Sequence, residues 1–302
     1  MIVTSTLSIN YILPRSSTPV THLDHLRHNH SVSQLPGDIC QTIRHTTPTP
    51  HKATGVNADS TDTFIDLVYA NIPRVNDDLQ YIFNQIYINN IPPLIKHFFS
   101  DVYLFCLHKD PTDASKLRPL GIPTAMRRII ARHVAQHYKA KFAEFLLPFN
   151  FAVGIPQGSA TVINAIQLGI EKYISNNEQQ GLPPTRAAVF FDLSNMFNNI
   201  SRVEFLDIIS ASFPELIPLI QLFYDSPGAV HYKINIVKWA TLFMEEGSTQ
   251  GCPLSPILAS LVVVRLLLGL LWQIWRDVDR CFSPRSSGKL VRHEIFGKEI
   301  FE

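Results

Sequence analysis

Asp192 closes a short apolar run, Ala187 to Phe191, that follows Pro183 and Pro184, and it is followed by Leu193, Ser194, Asn195, Met196 and Phe197. Small, β-branched and aromatic residues in such a run predict a buried strand whose last residue reaches the rim of a sheet. A carboxylate there either caps a turn or helix or does chemistry. The chemistry in its reach is phosphoryl transfer, which needs mainly positioning and the charge neutralisation that carboxylate-held divalent ions supply. In that role Asp192 would bind Mg²⁺, and the backbone carbonyl of Leu193 would add a second oxygen to a hard cation, leaving the side chain at 193 unimportant.

A second string lies downstream, Glu246-Gly247-Ser248-Thr249-Gln250-Gly251-Cys252-Pro253-Leu254-Ser255-Pro256, and leads into an apolar stretch from Ile257 to Trp275. Upstream stand Lys109, then Arg118-Pro119-Leu120-Gly121-Ile122-Pro123, then Phe151-Ala152-Val153-Gly154 with Gln157-Gly158. In type and order these strings resemble the reverse transcriptases, especially those of retroelements without long terminal repeats. In that family an aspartate-ended strand is followed by a Gln-Gly-x-Pro-Leu-Ser-Pro loop and a helix. The resemblance covers roughly residues 100 to 275, over half the chain.

The resemblance implies a role for each residue. Asp192 becomes the metal-binding carboxylate. Phe197 matches the bulky residue under the nucleotide sugar that excludes a 2′-hydroxyl by clash. RNA-templated RNA polymerases usually carry a second Asp at that offset, so Phe197 argues against them. Gln250 and Gly251 would turn the backbone against the nascent base pair, glycine allowing close approach and positive φ, with Pro253 and Pro256 stiffening the loop. Lys109 and Arg118 are the residues for gripping a triphosphate, Arg as a planar fork and Lys as a point charge. Each has an ordinary alternative: Phe197 as a core aromatic, the Gln-Gly string as a turn that starts a helix, Lys109 and Arg118 as solvated surface cations.

Of the 302 residues 46% are hydrophobic and 17% charged, enough to bury one substantial core. The net charge of +1 carries no basic footprint on average. From Lys116 to Lys141, however, there are seven Lys and Arg (Lys116, Arg118, Arg127, Arg128, Arg132, Lys139, Lys141) and no acid, a surface that nucleic-acid phosphates would favour. The same segment has helical spacing, with Ile130, Val134, Tyr138, Phe142 and Phe145 on one face and Thr124 as N-cap. A solvated cationic face explains such a helix equally well.

The expected architecture is α+β: a partial right-hand polymerase, fingers and incomplete palm, behind a disordered leader. Residues 1–60 read as that leader, polar, proline-bearing and aperiodic. Residues 61–100 read as a helical extension, divided at Ile91-Pro92-Pro93. Residues 101–280 read as fingers and palm, and 281–302 as an irregular tail. Within the palm, Ser201-x-x-Glu204 is a capping box opening a helix with Phe205, Ile208 and Ile209. From His231 to Trp239, Tyr232, Ile234 and Ile236 alternate as a half-buried strand. Leu258 to Trp275 is apolar enough to suggest a membrane span, but Arg265 interrupts it, and the Gln-Gly loop gives it a soluble explanation; no membrane association is expected.

Cys40, Cys106, Cys252 and Cys281 have neither zinc-knuckle nor disulfide spacing. His22, His25, His28 and His30 lie in a Ser, Thr and Pro-rich stretch without paired ligands. No export signal is read at the N-terminus, so an intracellular location, cytoplasmic or nuclear and not secreted, is expected.

One departure from the family matters. Its second acidic site, an aromatic-x-Asp-Asp turn after the Gln-Gly helix, is missing; Asp277-Val278-Asp279 has the wrong spacing and lacks hairpin flanks. The sequence therefore reads as a truncated or decayed retroelement frame. RNA template, DNA primer and deoxynucleoside triphosphates are its implied partners, and two Mg²⁺ ions its implied cofactor, with one carboxylate present to hold them. RNA-templated DNA synthesis is the family reaction, and the isolated chain is expected to be inactive. The alternative is a non-catalytic remnant that binds RNA or a hybrid duplex.

Overall fold

Leu35, Ile39, Cys40 and Ile43 are buried at 5% exposure or less, although they lie inside the span expected to be a structureless leader. The computed structural model describes residues 34–48, 59–70, 72–110, 112–180, 193–235, 237–282, 294–295 and 298–299. The strand expected over Ala187 to Phe191, Asp192 and the histidines from His22 to His30 lie outside them. Helix α1 (Ile39–Arg44) is capped by the Asp38 carboxylate, which accepts from the Cys40 amide. Six residues are too few to show a period, so the leader reading fails here for lack of a local signal. The order comes from long-range partners: Leu35 N donates to Asn84 Oδ1 at 2.8 Å and Ile39 N to Gln80 Oε1 at 3.0 Å.

Three helices follow, α2 (Thr61–Tyr69, N-capped by Ser60), α3 (Val75–Tyr87) and α4 (Pro93–Ser100). Pro93 sits in the first turn of α4, where its missing N–H costs nothing. Phe64, Phe83, Tyr87 and Phe99 carry these helices into one core with α1.

Strands β1 (Val102–Asp110) and β2 (Asp113–Ile122) form an antiparallel hairpin. Pro119 is admissible in β2 because β2 is an edge strand. The long cationic helix expected next is two helices, α5 (Ala125–His137) and α6 (Lys139–Leu146), broken at Tyr138. Thr124 caps α5 as expected, accepting from the Arg127 amide, and Ile130, Val134, Tyr138 and Phe142 are buried. Arg127 departs from the expectation: it is fully buried, because it lies three residues before Ile130 and so on the apolar face.

His133 ties α1 to α5. Its Nδ1 lies 2.7 Å from the Thr42 hydroxyl and its Nε2 reaches the Pro36 carbonyl, which places the donated proton on Nε2 and leaves Nδ1 as acceptor. Burial, the dominant cause, holds its pKa below the usual 6.5. A histidine kept neutral in the fold favours folding fully above the unfolded pKa, and that contribution is lost as pH falls below about 6.5. The urea midpoint is thus expected to drop between pH 7.5 and pH 5.5, with a smaller drop in His133→Gln. An equal drop in both chains would assign the acid sensitivity elsewhere.

Helix α7 (Gly158–Gln180) is followed, after the residues not described, by α8 (Met196–Asn199) and α9 (Arg202–Ser212). Ser201 caps α9, accepting from the Glu204 amide at 3.3 Å. The second half of the expected capping box is not made; Glu204 pairs with Arg265 Nη1 at 3.2 Å. A short 3₁₀ turn (Pro214–Leu216) leads to α10 (Ile217–Tyr224), which is buried along most of its length.

The strand expected from His231 to Trp239 is instead the middle of a hairpin, β3 (Gly228–Lys233) and β4 (Trp239–Met244). Asn235 makes the turn, its Oδ1 accepting from the Val237 and Lys238 amides at 3.1 and 2.8 Å. The four strands form one mixed sheet in the order β2-β1-β3-β4, β1 and β3 running parallel.

Helix α11 (Ser255–Phe282) closes the core with Leu258, Ala259, Leu261, Val262 and Val264. Its segment Ser255–Gln273 is long and apolar enough to cross a membrane, and 39% of it is buried inside the protein. Asp277 and Asp279 fall on its last turns. The tail is not wholly irregular, since Glu294–Ile295 pairs with Lys298–Glu299.

Candidate functional site

The Gln-Gly string forms a loop laid along the free edge of β2. Gly121 N donates to the Gln250 carbonyl at 2.9 Å. Gly251 adopts φ +127°, and a Cβ there would stand 2.3 Å from the Gly121 oxygen. A Cβ on Gly121 would in turn meet the Thr249 methyl at 2.9 Å. Two glycines from separate motifs thus permit one close backbone approach.

The other side of the loop rests on the turn that follows Asp192. Ser248 N donates to the Phe197 carbonyl at 2.7 Å and Gly247 N to the Ile200 carbonyl at 3.0 Å. Gly247 has φ +78°, and a Cβ there would lie 2.5 Å from the Asn198 oxygen. The structure therefore joins three of the strings, Arg118–Pro123, Asn195–Ile200 and Glu246–Pro256.

Beneath the loop lies a polar frame that the sequence reading missed. Tyr224 is 1% exposed; its hydroxyl accepts from the Thr249 amide at 3.4 Å and lies 3.4 Å from Ser255 Oγ. Ser255 Oγ donates to the Thr249 carbonyl at 2.7 Å. Arg127 donates to Thr249 Oγ1 at 3.2 Å and to the Phe99 carbonyl, its guanidinium 4.5 and 5.0 Å from the ring centres of Phe223 and Tyr224. Arg202, 4% exposed, donates to the carbonyls of Gly247 (3.1 Å), Tyr224 (3.3 Å), Ser226 (3.1 Å) and Met244 (2.8 Å).

Burial lowers the Arg202 pKa to about 10, with Tyr224 and Glu246 acting in the opposite sense. The group stays cationic at neutral pH. Burial raises the Tyr224 pKa, so the hydroxyl keeps its proton. Helical spacing from Ile130 could have revealed Arg127. Arg202 has no comparable signal, since it follows a capping serine as any first-turn residue does.

Arg118 is exposed on β2 opposite Leu107. Lys109 lies on β1 beside a register irregularity, its side chain outside the described residues. Phe197 is half-buried against the core, and Leu193 is 47% exposed. Among the described residues no three His, Cys, Asp or Glu side chains come together to hold a metal ion. Asp192, the carboxylate that the sequence reading assigns to a metal ion, lies outside those residues.

A small mixed sheet packed with helices, with a Gln-Gly loop pinned to its edge strand, defines an α+β protein compatible with part of a polymerase. The model of the reverse transcriptase (RNA-dependent DNA polymerase) family matches residues 107–279, more than half of the chain. The chain belongs to that family. A search of curated proteins found no match. The family implies a nucleic-acid template and deoxynucleoside triphosphates as substrates.

Proposed function

We propose that this chain is the fingers and part of the palm of a reverse transcriptase from a retroelement without long terminal repeats, whose family reaction is RNA-templated DNA synthesis. The supporting observation is the seating of the Gln-Gly loop between Gly121 of β2 and the Phe197 turn. In this reading Asp192 is the catalytic carboxylate, with the Leu193 carbonyl beside it. Lys109 and Arg118 meet the triphosphate, Phe197 lies under the nucleotide sugar, and Gln250 and Gly251 border the nascent pair. The residues from 101 to 280 form the polymerase part, and the cell interior is its setting; Cys40, Cys106 and Cys252 are free thiols.

The 302 residues contain no aromatic-x-Asp-Asp string. One carboxylate under-compensates the charge of a metal pair, so residues 1–302 alone are expected not to extend a DNA primer on an RNA template with deoxynucleotides and Mg²⁺. Extension above background that disappears in Asp192→Ala would refute this inactivity. The second reading, a binding remnant, is favoured by that same single carboxylate. It expects salt-sensitive binding of an RNA–DNA hybrid, equal in wild type and Asp192→Ala.

A further inference from the structure

Thr249, the residue before Gln250, has each of its polar groups engaged. Its amide donates to the Tyr224 hydroxyl, its carbonyl accepts from Ser255 Oγ at 2.7 Å and from the Cys252 amide at 3.0 Å, and its hydroxyl accepts from Arg127. Side chains from α5, α10 and α11 thus converge on one residue of the loop.

Three of these groups close into a ring. A carbonyl only accepts, so the Ser255 hydroxyl gives its proton to Thr249 O. In the 3.4 Å contact between the two hydroxyls Ser255 is then the acceptor and Tyr224 the donor, while the tyrosine oxygen takes the Thr249 amide. Each bond in such a ring polarises the next, and removing one member weakens the others.

The ring is anchored at Tyr224. The Arg127 and Arg202 guanidiniums stand 5.0 and 5.4 Å from the centre of its aromatic ring, and Phe205 packs edge-on at 5.3 Å. A serine that opens a helix ordinarily accepts from a first-turn amide; Ser255 opens α11, yet its hydroxyl is turned back toward the loop. With Gln250 O bonded to Gly121 N at 2.9 Å, the peptide planes on both sides of Gln250 are held. The half-buried Gln250 and exposed Gly251 therefore leave the protein in one fixed direction.

We propose that Tyr224 and Ser255 are positioning residues that act as one unit through Thr249, setting the backbone from which Gln250 and Gly251 border the nascent pair. The proposal rests on the polymerase reading of that dipeptide.

The test is fluorescence anisotropy of the full chain with two labelled DNA primers recessed on an RNA template, one ending in a matched pair and the other in a mismatch. Wild type is expected to bind the matched hybrid more tightly. Tyr224→Phe and Ser255→Ala are each expected to weaken matched binding about fivefold, the scale of one hydrogen bond, with the salt slope unchanged because no phosphate contact is lost. The double variant is expected to lose no more than either single one, since the first removal already opens the ring. In hydrogen exchange the Gly121 and Cys252 amides are expected to lose protection in Tyr224→Phe while the Gly247 and Ser248 amides keep theirs. Phe83→Leu, a core change in α3, controls for stability: it lowers the urea midpoint and leaves matched binding within about twofold of wild type. Circular dichroism checks that each variant is folded at the temperature of the binding assay. Unchanged matched binding in both single variants overturns the proposal alone, as does a double variant whose loss is the product of the two. Weakening of equal size in Phe83→Leu overturns it by making Tyr224 and Ser255 ordinary core residues. Wild type that binds both hybrids alike, or neither, overturns the reading of Gln250 and Gly251 and the proposal with it.

Discussion

Gly251→Ala is expected to cost about 2–4 kcal/mol of stability, combining the penalty of a side chain at positive φ with the overlap its Cβ makes. The Cβ would stand 2.3 Å from the Gly121 oxygen, on the backbone of an edge strand that cannot swing aside as a flexible side chain would. The loop must lift off β2 or the strand must bend, and either breaks the 2.9 Å bond from Gly121 N to Gln250 O. Gly169 provides the contrast. Nothing lies within 4 Å of a Cβ there, and it sits within α7, so Gly169→Ala should be neutral or gain up to about 1 kcal/mol from helix propensity. Urea unfolding of the two variants checks both signs. If Gly251→Ala unfolded like wild type, the loop would not be seated as described.

Arg202→Met should be the more damaging change, at about 3–5 kcal/mol, because it abandons buried carbonyls that have lost their water. The guanidinium ties Met244, Gly247, Tyr224 and Ser226 to the first turn of α9. Arg202→Lys should recover only part of the loss, since an ammonium cannot span acceptors arranged around a planar fork. Hydrogen exchange supplies the local check. The Gly247 and Ser248 amides, bonded to the Ile200 and Phe197 carbonyls, should lose protection beyond the loss of global stability. Equal loss everywhere would make Arg202 an ordinary core residue.

The strings that mark the family were legible because each has a rigid residue order: Arg118 to Pro123 and Gln250 to Pro256 needed no third dimension. The Thr124 and Ser201 caps were legible for the same local reason. Three features were not. Helix α1 owes its order to Asn84, Gln80 and His133, distant in sequence, and its six residues show no period of their own. The β3–β4 hairpin hid in an alternating run, because Tyr232 and Ile234 keep the strand rhythm into the turn that Asn235 makes. Arg127 was read by its charge as surface, whereas its phase on α5 put it under the loop. Propensity and charge are short-range signals, and all three features are settled by partners that only the fold supplies.

The position of β1 limits how this protein can be divided. The family match opens at Leu107, in the middle of a strand that begins at Val102. A chain started at the match would keep the Gln-Gly loop but lose Val102 and Tyr103, the two β1 residues that pair with β3. It would also lose Phe83, Tyr87 and Phe99, core residues contributed by α3 and α4. The hairpin of β3 and β4 would be cut loose from the hairpin that carries Arg118. The boundary of the family match is therefore not a seam along which this molecule comes apart, since packing and hydrogen bonds run on upstream of it, back to the Pro36 carbonyl that His133 bonds.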